Sequence, residues 1–185
     1  MRLSINFSRR RRVALVLLLI AGTTFLGCAT TRLQSKLILN GEYFQVAQRE
    51  IRNAKQSIYL IAYLFLLYDY PGAYSNRILQ DLIDARERGV AVHVILDYPK
   101  PKYMDEGGPK NQEVYEKLKH AGIDVRFDSP KKRTHNKVLI IDEETIILGS
   151  HNYSFGGLKY NNEASLLVRD RAKAKRLIKY FEQID

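Results

Sequence analysis

Several features that would settle a protein's class at once are missing from this chain. It has a single cysteine, Cys28, so no intrachain disulfide can form. There is no second His-x-Lys pair and no internal repeat. The apolar run near the amino terminus, Val13 to Ala21, is short for a membrane span, which needs about 20 apolar residues. Acidic residues are outnumbered, with 20 Asp and Glu against 30 Lys and Arg in 185 residues, a formal net charge of +10. Half of that excess precedes residue 29, because residues 29–185 carry 25 basic and 20 acidic side chains. So modest a surplus is compatible with a polyanionic or anionic-lipid partner without requiring one.

The amino terminus reads as a targeting segment. Arg2 and Arg9 to Arg12 precede the apolar run, which is followed by small residues and then Leu26-Gly27-Cys28. That is the basic, apolar and cleavage-region order of an export signal. Cys28 directly after Gly27 resembles a bacterial lipobox, in which the cysteine is lipidated and becomes the first residue, although Phe25 and Leu26 depart from the preferred pattern. An uncleaved anchor is the other reading, since the run extended to Cys28 covers 16 residues. The domains expected are a signal or anchor over 1–28, a polar tether over 29–40 and one folded domain over 41–185. The domain would be exported and held at a membrane.

Beyond the amino terminus, the most informative stretch runs from His135 to Asn152. Two apolar runs, Val138 to Ile141 and Thr145 to Leu148, flank Glu143-Glu144 and read as a β-hairpin. If it closes symmetrically about that pair, opposing residue numbers sum to 287. His135 then faces Asn152, Lys137 faces Ser150, and alternation puts all four side chains on one face. Asp142 falls on the other face, as does His151. A neutral imidazole is a nucleophile or proton carrier near neutral pH. A lysine and an asparagine beside it supply donors to the non-bridging oxygens of a phosphoryl group. A metal is disfavoured there, because Lys137 would set a positive charge beside the ion and that face has no carboxylates. No cofactor is expected.

The full pattern is His135-x-Lys137-x4-Asp142-x6-Gly149-Ser150-x-Asn152, six specified residues that chance would align in roughly one chain per million of this length. It resembles the signature of the phospholipase D superfamily, and the similarity extends over most of residues 40–185 in the order and length of elements. The resemblance implies phosphodiester cleavage without metal through a phosphohistidine. It also implies that Glu163, in Asn161-Asn162-Glu163, orients the histidine. Enzymes of the family use two copies of the motif, one histidine attacking phosphorus and the other acting as acid and then base. With one copy, this chain resembles the short homodimeric members, in which two protomers share one active site. His135, Lys137, Asn152, Ser150 and Glu163 are the expected catalytic set, with Asp142 a structural member of the motif.

The surrounding pattern predicts an α/β fold, an α/β/α sandwich with a mixed, mostly parallel sheet flanked by helices, as in phospholipase D-like proteins. Phe44, Ala47, Ile51 and Ala54 recur at helical spacing within 42–56. Ser57 to Leu67 is dense enough for a strand buried on both faces, its end falling near a site. A helix capped by Ser75 runs to Arg88, with Gly89 as its stop. Val90 to Tyr98 is a second buried strand, in which His93 reads as a satisfied strand residue. A short helix over 111–120, strands over 123–127 and 163–168, and a basic helix over 171–181 complete the domain. Lys131, Lys132 and Arg133 abut His135 and are candidates for drawing in a polyanionic substrate. Tyr153 and Phe155 are candidates for stacking on a base or touching a lipid. The substrate expected is a phospholipid head group or nucleic acid. Loss of catalysis, leaving a polyanion-binding module, is the remote alternative.

Overall fold

In the computed structural model, residues 34–70, 72–99 and 111–185 are described. The signal-like segment and Cys28 lie outside them. The order is β1 (Gln34–Leu39), α1 (Glu42–Asn53), β2 (Ser57–Ala62), α2 (Tyr74–Glu87), β3 (Ala91–Leu96), α3 (Gln112–His120), β4 (Asp124–Phe127), β5 (Lys137–Ile141), β6 (Thr145–Gly149), a π-helical turn (Gly156–Tyr160), β7 (Ala164–Arg169) and α4 (Arg171–Glu182). The strands form one mixed sheet in the order β1-β7-β6-β5-β2-β3-β4.

Alternation along the central strands explains the three layers. Ile58, Leu60 and Ala62 of β2, with Leu139 and Ile141 of β5, face a core shared with α1, α2 and α3. Ile61, Val138, Ile140 and Ile146 point the other way, onto Ala174, Ile178 and Phe181 of α4. Each fully buried isoleucine, leucine, valine or phenylalanine among them contributes about 1.5–3 kcal/mol, and β2 and β5 need apolar residues at nearly every position because both their faces are covered. The α/β/α sandwich is thus as expected.

The sheet is mixed in a particular way. Strands β2, β3 and β4 pair in parallel, while the other four neighbouring pairs are antiparallel. Five strands therefore run one way and only β5 and β7 are reversed. The carboxyl ends of β2, β3, β4 and β6 lie along the same sheet edge as the amino ends of β5 and β7.

Three expectations need correction. Residues 34–39, assigned to a tether, form the edge strand β1, antiparallel to β7 from Gln34↔Arg169 to Leu39↔Ala164. The apolar patch Leu37-Ile38-Leu39 belonged to a strand, with Ile38 fully buried. Ser75 does not cap α2, which starts one residue earlier after Ala73. The hairpin register is also one residue different, because Ile141 pairs with Thr145 and Val138 with Leu148, so opposing numbers sum to 286. The turn holds three residues, with Asp142 and Glu143 at φ of 52° and 53°.

Asp142 accounts for that turn. Its carboxylate accepts the backbone N–H groups of Lys55 (3.0 Å), Gln56 (2.7 Å) and Ser57 (3.1 Å), and its own N–H donates to the Ser57 carbonyl at 2.8 Å. Aspartate tolerates left-handed backbone better than most residues, and here the hairpin turn is fastened to the loop entering β2. Asp142 sits at the opposite end of β5 from Lys137, about 17 Å away at strand rise. Asp142→Ala should lower unfolding stability by about 2 kcal/mol or more in urea titration, and Asp142→Asn, which keeps one acceptor oxygen, by less. Turnover per folded molecule should survive both changes.

Candidate active site

The strand ends along one sheet edge carry the motif residues other than Asp142, which lies at the far end of β5. His135 is exposed just before β5, and Lys137 opens the strand with a buried side chain. Lys137 Nζ donates to the His135 carbonyl at 2.9 Å and lies 3.3 Å from His135 Nε2. An ammonium has only donors, so this contact fits an imidazole whose Nε2 carries the lone pair.

The two nitrogens are gathered round Tyr63, which follows β2. Its ring centroid is 4.3 Å from that of His135 and 4.6 Å from Lys137 Nζ, and the Arg133 guanidinium lies over it at 5.6 Å. Tyr63 N–H donates to the Asn136 carbonyl at 3.1 Å, pinning the segment between the two motif residues. Two further supports come from β3 and α3. Asp97 accepts the Thr134 N–H at 2.8 Å, fixing the approach to His135. The buried Asn111 donates to the carbonyls of Tyr63 (3.0 Å) and Asp97 (2.9 Å) and accepts from the Phe65 N–H at 2.7 Å. The motif did not reveal Tyr63, Asp97 or Asn111; the sequence signal was Asp97 at the end of an apolar run and Tyr63 within one, with none for Asn111.

With the observed register, Gly149 rather than Ser150 follows on opposite Lys137, so the four side chains do not share one face of a regular hairpin. The chain beyond β6 instead crosses over the start of β5 towards β2. Ser150 N–H donates to the Ala164 carbonyl at 3.0 Å, while Tyr153 N–H donates to the Leu64 carbonyl at 2.9 Å and the Tyr153 carbonyl accepts from the Leu66 N–H at 2.8 Å. This crossing brings Ser150 and Asn152 to the edge where His135 and Lys137 lie. Gly149 permits it, because a Cβ there would stand 2.2 Å from Ser165 Oγ and 2.4 Å from the Ala164 oxygen.

Glu163 lies just before β7. Its carboxylate accepts from the Ser150 hydroxyl and from Asn161 Nδ2 at 3.1 Å, rather than from His135. Asn40, after β1, holds it from behind by accepting the Glu163 N–H on its side-chain oxygen at 2.9 Å. Asn152 Oδ1 is buried and has no hydrogen-bond partner among the described residues. His151 is fully buried, stacked on Tyr43 at 4.4 Å, with Nε2 at 2.9 Å from the Asn40 carbonyl and Nδ1 at 2.7 Å from Ser165 Oγ. Both its nitrogens are engaged, so it braces the site. Tyr153, a candidate for substrate stacking, is also fully buried and bonds Tyr43 through its hydroxyl at 2.8 Å. His93 pairs with Asp124 at 2.7 Å and stacks on Tyr59, within the sheet. Lys131, Lys132 and Arg133 are exposed on the same edge as His135. Among the described residues, no three His, Cys, Asp or Glu side chains converge as a metal site.

Electrostatics favours a neutral His135. Desolvation, then the charges of Lys137 and Arg133, hold its pKa below 6.5. Burial also lowers Lys137, against the opposing pull of Glu163 and Asp97. An imidazole with an available lone pair beside a cation can attack an electrophile whose departing charge the cation stabilises. Titration of His135 by NMR should give a pKa below 6.5, and Lys137→Met, by removing a positive neighbour, should raise it. Gly157→Ala should disturb the site from beneath, since its Cβ would lie 2.4 Å from the Asn152 carbonyl oxygen. That overpacking should cost about 1–3 kcal/mol in urea titration and lower turnover with it.

Comparison with known proteins agrees with this architecture. Residues 48–184 match the family model described as cardiolipin synthase, PLD-like domain. The chain is 36% identical over 127 residues to a phospholipase D of Rickettsia prowazekii, covering 69% of this chain and 55% of that protein. It is 33% identical over 98 residues to the mitochondrial cardiolipin hydrolase of Mus musculus, covering 53% of this chain and 41% of that protein. The chain thus spans about half the length of these relatives. Among solved structures, the phospholipase D family member Nuc from Salmonella typhimurium superposes with a TM-score of 0.67 at 22% identity, covering 82% of this chain and 94% of that one. NucT from Helicobacter pylori gives 0.63 at 20% identity, covering 82% and 95%. At these identities the structural likeness concerns the fold, and with the family model spanning most of the sequence, the chain belongs to the phospholipase D superfamily.

Proposed function

We propose that this protein is a metal-independent phosphodiesterase that forms a phosphohistidine at His135, with a phospholipid head group as its substrate. The observation that carries the reading is the 3.3 Å approach of Lys137 Nζ to His135 Nε2 at the open sheet edge. A nucleophilic lone pair and an ammonium there address one point, as attack on phosphorus beside a charged oxygen requires.

In this mechanism His135 Nε2 attacks phosphorus, an N–P bond forms, and the P–O bond to the alcohol breaks. The departing oxygen takes a proton from the partner's His135. Water then attacks the same phosphorus, gives its proton to that second imidazole, and the N–P bond opens. Lys137 Nζ and the Asn152 side-chain NH2 donate to the non-bridging oxygens. Ser150 positions the Glu163 carboxylate beside the site, donating its hydroxyl to that carboxylate and accepting from the Ala164 N–H.

One imidazole cannot be nucleophile and acid on opposite sides of one phosphorus, so the reading requires a homodimer with a shared site. An apolar sheet face supports it. Leu37 of β1, Leu166 of β7 and Leu148 of β6 lie in register on the side opposite α1, all exposed, and Leu39 continues the row toward Ser150. A second copy would cover them and meet the first beside the active edge. The same reading has the protein exported and held at a membrane by its amino-terminal segment, through a lipid on Cys28 or an uncleaved anchor. Among the described residues, no helix is long and apolar enough to cross a membrane. The phospholipase D and cardiolipin hydrolase relatives support the lipid substrate. The exposed Lys131 and Lys132 favour nucleic acid as a second reading.

The test offers phospholipid vesicles, plasmid DNA and RNA in parallel to purified protein in chelator, with alkaline quenching to preserve a phosphoramidate. Product and an adduct on His135 are expected from vesicles, and His135→Ala should lose at least about 10³-fold in turnover. An adduct on another residue would refute the assignment, and a fully active monomer in sedimentation would refute the shared site.

A further inference from the structure

Beside the active edge lies an aromatic surface that neither the core nor the proposed chemistry uses. The chain between Asn152 and Glu163 carries Phe155 and Tyr160, and the loop after β2 carries Tyr68 and Tyr70. Their rings form one cluster, with centroids 4.6 Å apart for Phe155–Tyr160, 6.1 Å for Tyr68–Phe155 and 6.3 Å for Tyr70–Phe155. Tyr70 is 44%, Phe155 40% and Tyr160 61% exposed. Lys159 Nζ lies among them, 5.1 Å from the Tyr160 ring and 5.7 Å from Phe155.

The cluster is fixed rather than loose. Phe155 N–H donates to the Tyr68 hydroxyl at 2.9 Å, tying the two segments together. The π-helical turn behind them is seated by Gly157 against the Asn152 backbone. Phe155 is three positions after Asn152, so their Cα atoms are at most about 11 Å apart.

We propose that this aromatic rim seats the active edge on a lipid bilayer at the level of the head groups. The inference rests on the phospholipid reading of the site and adds how the site reaches a phosphodiester in a membrane. Tyrosine has an apolar body and a polar tip, the combination that settles at the membrane–water interface. A phospholipid's phosphodiester lies at that same depth. Charge agrees with an anionic surface: residues 153–162 contain Lys159 and no acid, and Asp69 is the only acid in 65–78. Lys131 and Lys132 are exposed on the same sheet edge. Nucleic acid would instead stack bases on these rings, and that is an outcome the test separates.

The chain has no tryptophan, so a single indole reports on one place. Phe155→Trp in the full-length protein is mixed with vesicles of anionic phospholipid, with and without brominated acyl chains. The indole emission should move to shorter wavelength and be quenched by the brominated lipid. Emission that stays at the wavelength of an exposed indole and escapes quenching would overturn the proposal, whatever the amino-terminal segment does. Replacing Phe155 and Tyr160 together by serine should raise KM on vesicles at least about tenfold, about 1.4 kcal/mol, with hydrolysis of soluble bis(p-nitrophenyl) phosphate unchanged. An unchanged vesicle KM, or a defect confined to DNA or RNA, would also overturn it. Quenching without any lipid hydrolysis would leave the rim standing and remove the phospholipid-hydrolase reading instead.

Discussion

The reversed strand at the centre of the sheet is the constraint on which the other features depend. Because β5 runs against β2 on one side and β6 on the other, its first residues emerge where its neighbours finish. His135 and Lys137 thereby meet residues from the ends of β2 and β6 and from the start of β7. In open sheets with parallel strands, ligands sit beyond the carboxyl ends, and the reversal feeds a further strand's opening residues into that crevice. At the far end of β5, Asp142 ties the return turn to three backbone N–H groups. One strand therefore has its beginning devoted to the site and its end to anchorage, with four buried apolar positions between Lys137 and Asp142.

Much of this was legible in the sequence for a physical reason. Strands covered on both faces must be apolar almost throughout, and helices covered on one face show a three- and four-residue recurrence, so layers and element order could be read directly. What could not be read was register. A two-residue turn at Glu143-Glu144 was the simplest closure, and no glycine marks the left-handed backbone at Asp142 and Glu143. The additional turn residue moved Ser150 and Asn152 off the face shared by His135 and Lys137. Proximity came instead from the crossing of residues 150–153 to the end of β2, a long-range pairing that no local pattern announces. β1 was missed because a short edge strand with one buried residue resembles a linker with an apolar patch.

The braces of the site were illegible for a related cause. Asn40, Asp97 and Asn111 are ordinary polar residues in sequence, and their importance lies in which strand ends they join. Asn111 holds together the exits of β2 and β3, Asp97 fixes the approach to His135, and Asn40 reaches both Glu163 and His151. Buried or half-buried polar groups of this kind stabilise an arrangement only when every partner is in place. A motif defined by the reacting groups therefore leaves out Asn40, Asp97 and Asn111, which hold the strand ends around them.

Tyr63 bears on how the site stands before anything enters it. Imidazole, ammonium and guanidinium all lie against one ring, whose π-face attracts positive charge by about 0.5–2 kcal/mol per cation while having no formal charge of its own. A carboxylate in that place would gather the same groups more strongly, but it would also repel an incoming phosphate. Asp97 and Glu163 accept from Thr134 and Ser150 and also act on the Lys137 charge, from outside the ring's position. The ring thus gathers the cations while adding no negative charge of its own to the field that draws an anion towards them.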